Sequence, residues 1–392
     1  MPHLLACHDI VKTDFIRGEN CSLYDASGNR YLDFESGIWS AALGHSHPRV
    51  NAVLHQQIDQ LMHLGTRYPS ALAESAALDV LEITGIGEGK CVFLSSGSEA
   101  VEFGVQAVRR LTRRPLLLTF SVSYLAAFGS AGRKDADEWL LVDAACPDPE
   151  ACLKDIPFER IGGFIFEPGG SGSAFVQFSS ARLVQEIARR VRQTGGLLMA
   201  NEITTGMGRT GAWFGFQHYD VQPDIVSLGK GLGNGYPVSA VALSLDAASR
   251  LEADGFRYAQ SHQNDPLGCA VAREVIAVMR EGAWIDKGRA LGESFLDGLD
   301  QLRKSHPLVK DARGRGPLLA LEFQSDARIT AASAYDALLK RGFLVGCYPA
   351  GNLLRFDPAL TMDRKDVDAL LAALEDMLVA AERKAGSALE EP

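Results

Sequence analysis

The 392-residue sequence has no apolar run that approaches the roughly 20 residues needed to cross a bilayer, so no membrane partner is expected. Met1 to Asp9 has no charged-then-apolar pattern, so no secretory leader is expected. There is no basic excess either. Lys plus Arg number 39 against 49 Asp plus Glu, a formal net charge of −10, which argues against a general phosphate-backbone binder and leaves room only for a local basic pocket. No nucleic-acid partner is expected. No C-x-x-C pair occurs among the seven cysteines, and Cys7, Cys21, Cys91, Cys146, Cys152, Cys269 and Cys347 are scattered, so reduced thiols in a cytoplasmic protein are expected. No period of 20–50 residues repeats, and low complexity is confined to a polar tail, Lys384–Pro392. What is present is ordinary globular composition, 46% hydrophobic and 22% charged, which excludes a disordered chain. The length predicts more than one structural unit. Glycine is mildly in excess: 39 residues, against an average of about 7%, and they cluster.

From about residue 50 to 245, apolar runs alternate with amphipathic stretches. The runs are Cys91–Leu94, Leu116–Phe120, Trp139–Val142, Phe164–Phe166, Leu197–Ala200 and Ile225–Leu228. Helical spacing follows His47-Pro48 (Val50, Val53, Leu54, Ile58, Leu61), runs through Val101, Val105, Val108 and Leu111, and recurs with a basic face over Arg182–Arg192. Strands separated by helices predict a mostly parallel, twisted sheet, and continuous apolar strands predict one covered on both faces. The ends differ. Residues 20–35 read as a hairpin around Ser27-Gly28-Asn29. After about residue 285 come a helix, a strand near Leu318–Phe323, a helix, a strand near Phe343–Val345 and a final helix from Arg364. The expected class is therefore α/β: a large domain over 51–284, flanked by a smaller α+β domain made of 1–50 and 285–392.

Ligands of an open parallel sheet bind beyond the carboxyl ends of its strands. After Leu94 comes Ser95-Ser96-Gly97-Ser98-Glu99, opening a helix; free backbone N–H groups there suit a phosphate. The same turn also reads as a plain helix start with Ser98 as the cap. After Phe166 comes Glu167-Pro168-Gly-Gly-Ser-Gly172, after Ala200 comes Asn201-Glu202, and after Leu228 comes Gly229-Lys230-Gly231-Leu-Gly233-Asn-Gly235. A lysine set in glycine-rich backbone at a strand end has little structural reason to be there. Desolvated, it becomes a nucleophilic amine able to form a Schiff base. Gly206-Met-Gly208-Arg-Thr-Gly211 matches a dinucleotide fingerprint, but no amphipathic helix follows. Gly85–Lys90 lacks the first glycine and the hydroxyl of a P-loop. His45-Ser-His47 has no carboxylate or cysteine nearby in sequence, so it reads as a helix start, and no metal is expected.

On these segments the chain resembles the class III (ornithine, acetylornithine and 4-aminobutyrate type) pyridoxal-phosphate aminotransferases of fold type I. The resemblance runs from Tyr24-Asp-Ala-Ser-Gly-Asn-Arg-Tyr-Leu-Asp-Phe34 and Gly44-His-Ser-His-Pro48 to Leu354-Arg355-Phe356. It is most specific over Asn201-Glu-Ile-Thr-Thr-Gly-Met-Gly-Arg-Thr-Gly211 and Leu228-Gly-Lys-Gly-Leu-Gly-Asn-Gly-Tyr-Pro237. It implies a seven-stranded-type sheet sandwiched by helices, pyridoxal 5'-phosphate as cofactor, and a homodimer whose active site is shared between subunits. The substrates would be an amino acid or ω-amine donor and a keto acid, used in turn. By resemblance, Lys230 would hold the cofactor covalently and move a proton once displaced. Ser96, Gly97 and Ser98 would form the phosphate cup. Ser261 matches a threonine that reaches the phosphate from the neighbouring subunit. Tyr124 and Ile203 would flank the ring, and Glu167 keeps the first glutamate of its loop. Arg355 would take the substrate carboxylate, and Trp39 would line the substrate pocket.

The chain also departs from the pattern. Asn201 stands where the family has an aspartate that keeps the pyridine nitrogen protonated. Thr204 replaces a glutamine near the cofactor's phenolic oxygen, and Leu125-Ala126 replaces a His-Gly pair. The second loop glutamate, which gates the carboxylate-binding arginine in relatives, is replaced around Gly172. These changes argue against a close copy of the ornithine or 4-aminobutyrate enzymes. Two alternatives stay open at this point: a racemase or epimerase on the same fold, and a catalytically impaired cofactor-binding homologue.

Overall fold

In the computed structural model the described residues are 3–5, 7–8, 11–170, 176–325 and 328–388, with side chains described only to residue 383. Gly172 and residues 389–392 of the polar tail lie outside them.

The centre is a seven-stranded sheet in the order Lys90–Leu94, Ser239–Leu243, Ile225–Leu228, Leu197–Asn201, Ile161–Phe166, Leu116–Phe120, Trp139–Val142. Ser239–Leu243 runs antiparallel to both neighbours; the remaining pairs are parallel. The continuous apolar strands have the expected physical cause, because alternate residues enter two different cores. Leu198, Ala200, Val226 and Leu228 pack on one face under the helices Ala71–Thr84, Ala181–Gln193 and Pro266–Glu281. Leu197, Met199, Ile225 and Val241 pack on the other, under Gly97–Thr112 and Leu245–Ala253. The strand Ser239–Leu243 escapes the sequence pattern because its residues are small.

A further core draws on both chain ends. Cys21, Leu32 and Phe34 meet Phe295, Leu321, Phe343, Phe356 and Leu374. The short strand Phe343–Leu344 pairs in parallel with Arg30–Asp33 of the N-terminal hairpin. A second small sheet has the order Val309–Arg315, Leu318–Phe323, Leu353–Phe356, Gly346–Tyr348. The helices Trp284–Ser305, Ala331–Lys340 and Arg364–Ala388 accompany these two sheets.

The cysteines correct one expectation. Cys146 and Cys152 form a disulfide, because the turn and short helix after Trp139–Val142 fold back to bring their Cα atoms within 6.5 Å. That lies inside the span a disulfide can bridge. Cys7, Cys21, Cys91, Cys269 and Cys347 are free thiols.

Gly292 marks the closest approach in the C-terminal part. A Cβ there would stand 2.1 Å from the carbonyl carbon of Gly316, so the helix Trp284–Ser305 packs directly on hairpin backbone that cannot give way. Gly292→Ala is expected to destabilise the chain by about 3 kcal/mol through overpacking, read as a lower urea midpoint at unchanged slope.

Candidate active site

The carboxyl ends of five parallel strands share one edge of the large sheet, and Ser95–Ser98, Tyr124, Glu167, Asn201 and Lys230 follow those ends. Lys230 opens a short 3-10 turn, Lys230–Gly233, with φ at +45°, a conformation that is costly for a side chain with a Cβ. The turn points its amine inward: Nζ lies 4.4 Å from the centroid of the Trp39 ring. Burial lowers the Lys230 pKa to about 8; nearby Glu167 opposes that shift.

The Trp39 ring also receives Arg355, whose Cζ lies 3.7 Å from the ring centroid and 4.5 Å from that of Tyr348. Arg355 is fully buried. Its Nε donates to Asp357 Oδ2 at 2.5 Å, and Trp39 Nε1 donates to Asp357 Oδ1 at 2.7 Å. The N-terminal segment is fastened there by backbone as well. Asp357 N donates to the Phe34 carbonyl at 2.6 Å, and Ser36 Oγ donates to the Asp357 carbonyl at 2.7 Å. Both terminal nitrogens of Arg355 are buried without a hydrogen-bond partner among the described residues. Buried donors are rarely left in that state, and two in one plane match the oxygens of a carboxylate.

A second cluster surrounds Asn201, the last residue of its strand. Its Nδ2 donates to the Leu125 carbonyl at 3.3 Å, and its Oδ1 accepts from Ile203 N at 3.2 Å. Thr204 Oγ1 donates to Glu167 Oε1 at 2.7 Å, and Tyr124 N donates to Glu167 Oε2 at 3.1 Å. Ile203 fills the space that a Cβ on Gly97 or Gly229 would enter, at 2.7 and 3.2 Å, so a side chain at Gly97 would displace it and one at Gly229 would crowd it. The helix Gly97–Thr112 starts beside it. The cap is Ser96, not Ser98: Ser96 Oγ accepts from Glu99 N, and the Glu99 carboxylate accepts from Ser96 N in return. Ser98 Oγ instead accepts from Ala127 N.

The structure thus brings Lys230, Trp39 and Arg355 into one group, and Asn201, Ile203, Thr204, Glu167 and the backbone of Tyr124 into another. The Tyr124 side chain is 49% exposed. Ser261 is exposed and makes no hydrogen bond to either group among the described residues. Residues the sequence reading passed over are central here. Asp357 holds both Arg355 and Trp39; its position two residues after Arg355, on the same face of an extended segment, was the available signal. Glu202 is buried and accepts from Gly215 N, Phe216 N and Thr205 Oγ1, with burial raising its carboxyl to about 7. His45 has a carboxylate partner after all, because the hairpin places Asp33 Oδ2 2.7 Å from its Nε2. His47 occupies the N-cap position of the helix Pro48–Gln60 without a side-chain capping bond. Gly208 and Gly211 adopt positive φ in a turn that no α-helix follows, and Arg209 of that turn is buried against the Pro358 and Pro317 carbonyls.

Three comparisons agree on kinship. A family model described as aminotransferase class-III matches residues 7–127 and 144–378. The acetylornithine aminotransferase of Streptomyces coelicolor is 33% identical over 93% of this chain and 90% of its own length. The 4-aminobutyrate aminotransferase of Escherichia coli is 29% identical over 88% and 89%. Among solved structures, an ornithine aminotransferase from Toxoplasma gondii, with partial occupancy of pyridoxal phosphate at its active site, superposes with a TM-score of 0.85 at 25% identity, covering 97% of this chain and 93% of that one.

The lowered pKa makes Lys230 measurable apart from the other lysines. In apoenzyme, its acetylation by acetic anhydride, followed by peptide mass spectrometry, is expected to rise with pH through a midpoint near 8, whereas an ordinary exposed lysine follows a midpoint above 10. A Lys230 profile that follows the exposed lysines would contradict the desolvated environment.

Proposed function

The chain belongs to the class-III aminotransferases and is a pyridoxal-phosphate-dependent enzyme of that family; we propose that it transfers the amino group of a carboxylate-bearing donor to a keto acid at a site formed by Lys230, Trp39, Arg355 and Asn201. The observation that carries this reading is the unpartnered fork of Arg355, set on the same tryptophan ring as the desolvated Lys230 amine.

The residues fit the cofactor. Lys230 offers an amine that burial makes easier to deprotonate, with its pKa lowered to about 8. Gly97 and Ser98 stand in the first turn of a helix, where backbone N–H groups point outward and favour an anion. Ile203, packed on Gly97 and Gly229, gives an apolar surface for one face of a ring, and Tyr124 is free to approach the other. The Asn201 amide is the group assigned to the ring nitrogen. When bound, pyridoxal phosphate supplies a carbonyl that condenses with amines and a conjugated ring that withdraws electrons from the neighbouring carbon. Lys230 would hold the cofactor, and its free Nζ would be the base that moves the donor's Cα proton. Arg355 binds the donor carboxylate and fixes which bond faces Nζ. Trp39 excludes water and holds Arg355 in register.

Arg355 is clamped, not adaptable: two aromatic rings and Asp357 hold it. This favours donors and acceptors that both carry a carboxylate. The proposed working unit is a homodimer, in which Ser261 reaches the neighbouring phosphate. Its exposure supports that, as do the exposed apolar side chains Ile58, Leu61, Met62 and Tyr68. Among the described residues no helix is long and apolar enough to cross a membrane. A cytoplasmic site of action is proposed on the free thiols, Cys146–Cys152 being the exception.

Paired donors test the clamp. With purified holoenzyme and a keto acid acceptor, L-norvaline or 4-aminobutyrate is expected to exceed its counterpart without the carboxylate, n-butylamine or n-propylamine, by about 100-fold or more in kcat/KM, the worth of a charged bidentate contact. Arg355→Lys, which keeps the charge and loses the fork, is expected to erase most of that ratio. Equal turnover of both members of each pair would refute the clamp while leaving aminotransferase activity intact.

Asn201 can be tested separately. Asn201→Asp is expected to raise the single-turnover rate with a good donor by about tenfold, equivalent to ~1.4 kcal/mol in barrier, because a carboxylate keeps the ring nitrogen protonated. It should also lower the Tm of the apoenzyme, since the new carboxylate faces the Leu125 carbonyl. An unchanged rate would remove Asn201 from the electronic control of the reaction.

A further inference from the structure

Outside the cleft, one group of metal-ligating side chains converges without a structural task to explain it. His63, in the segment after the helix Pro48–Gln60, and His262, in the segment before the helix Pro266–Glu281, meet over Asp265. His63 Nδ1 lies 2.6 Å from Asp265 Oδ1, and His262 Nδ1 lies 2.5 Å from Asp265 Oδ2. The two imidazole centroids are 4.9 Å apart, tilted by 57°. One ligand atom from each residue falls within 4.8 Å of the others.

Asp265 is the feature that stands out. It occupies the N-cap of Pro266–Glu281, where an aspartate ordinarily turns its carboxylate onto the free N–H groups of the first helical turn. Here it makes no such bond. Its carboxylate is turned outward to the two histidines, and among the described residues the backbone donor it takes is Leu64 N, at 3.3 Å. That bond secures one oxygen from outside the helix, as a supporting contact to a metal-bound carboxylate does. The histidines come from segments 199 positions apart in sequence, so their convergence is a product of the tertiary fold. In the single chain both are exposed while Asp265 is mostly covered, with side-chain exposures of 45%, 61% and 13%, and they adjoin Leu61, Met62 and Ser261 of the proposed subunit interface. An entering ion would replace the two contacts between the imidazole Nδ1 atoms and the carboxylate and take all three groups as ligands.

We propose that His63, His262 and Asp265 form a binding site for one borderline divalent transition metal ion of the zinc class. Two imidazoles and one carboxylate are a donor set suited to Zn2+, Ni2+ or Cu2+ and unsuited to Mg2+ or Ca2+, which take oxygen ligands. Binding at Nδ1 requires each neutral ring to carry its proton on Nε2, a tautomer change that leaves the ring uncharged. The site lies next in sequence to Ser261, so an ion here would brace the segment that carries Ser261.

The test uses chelator-treated holoenzyme titrated with Zn2+ by calorimetry at pH 7.5. One equivalent per chain is expected, with no comparable heat from Mg2+. Co2+ in place of Zn2+ is expected to give visible absorption of a low-coordinate nitrogen–oxygen site in the unaltered protein. His63→Ala and His262→Ala, both at exposed positions, should each weaken Zn2+ binding by about 100-fold or more, exceeding the loss typical of an outer-shell change. His55→Ala, an exposed histidine of the helix Pro48–Gln60, should leave it unchanged. Absence of a one-equivalent event in the unaltered chain would overturn the proposal, as would binding that survives in both His63→Ala and His262→Ala; the cluster would then be hydrogen-bonded only.

Discussion

A buried ion pair organises the cleft. Arg355 and Asp357 are both without solvent exposure, and taking two charges out of water costs several kcal/mol per ion before their attraction is counted. Here the pairing is incomplete by design of the geometry. Asp357 spends one oxygen on Arg355 Nε and the other on Trp39 Nε1, so the two terminal nitrogens of Arg355 keep their hydrogens without acceptors. The desolvation has thus already been met in the folded protein, and a carboxylate that enters completes bonds the fold has left open. Such preorganisation turns a folding cost into binding selectivity.

The rest of the cleft follows from fastening that pair. Asp357 is the joint between the two chain ends, because its backbone bonds to Phe34 and Ser36 while its side chain holds Trp39. Trp39 in turn covers Lys230, and covering Lys230 is what lowers its pKa. One aromatic ring therefore transmits the position of the carboxylate anchor to the reactive amine. The large sheet delivers Lys230 and Asn201 to the carboxyl ends of adjacent strands; the smaller sheet delivers Arg355. The proposed substrate site lies where side chains from these two sheets converge.

The parts that sequence could disclose were those with a local signature. Continuous apolar strands identified the covered parallel sheet, and the glycines around Lys230 marked a strand end shaped for a ligand. Ser239–Leu243 was silent because Ser, Ala and Val do not stand out. Val309–Arg315 was silent because Lys310, Asp311, Arg313 and Arg315 mask a strand whose partners supply the apolar contacts. The pairings that depend on distant segments, Asp357 with Trp39, His45 with Asp33, and His63 with His262, leave no periodic trace and emerge only from tertiary structure. The Cys146–Cys152 bridge belongs with them: its spacing matches no familiar pair, and a local turn alone brings the sulfurs together.

Asn201 shows why a departure from a family pattern is better judged in its surroundings than as a lost charge. Leu125 has φ at +61° and is buried, and its carbonyl is directed at Asn201 Nδ2. An aspartate in that place would set two acceptors against each other in a region already holding the buried carboxylates Glu167 and Glu202. An asparagine satisfies the Leu125 carbonyl, accepts from Ile203 N, and adds no further carboxylate next to Glu167 and Glu202. The substitution of Asn for Asp and of Leu125 for a histidine therefore form one consistent exchange: the chain gives up a fixed charge at the ring nitrogen and gains a neutral, internally bonded wall. The consequence lies in how much of the reaction's charge must be stabilised elsewhere. With the ring nitrogen less strongly held, more of that burden falls on Lys230 and on the carboxylate fixed by Arg355, the two groups this fold buries most deliberately.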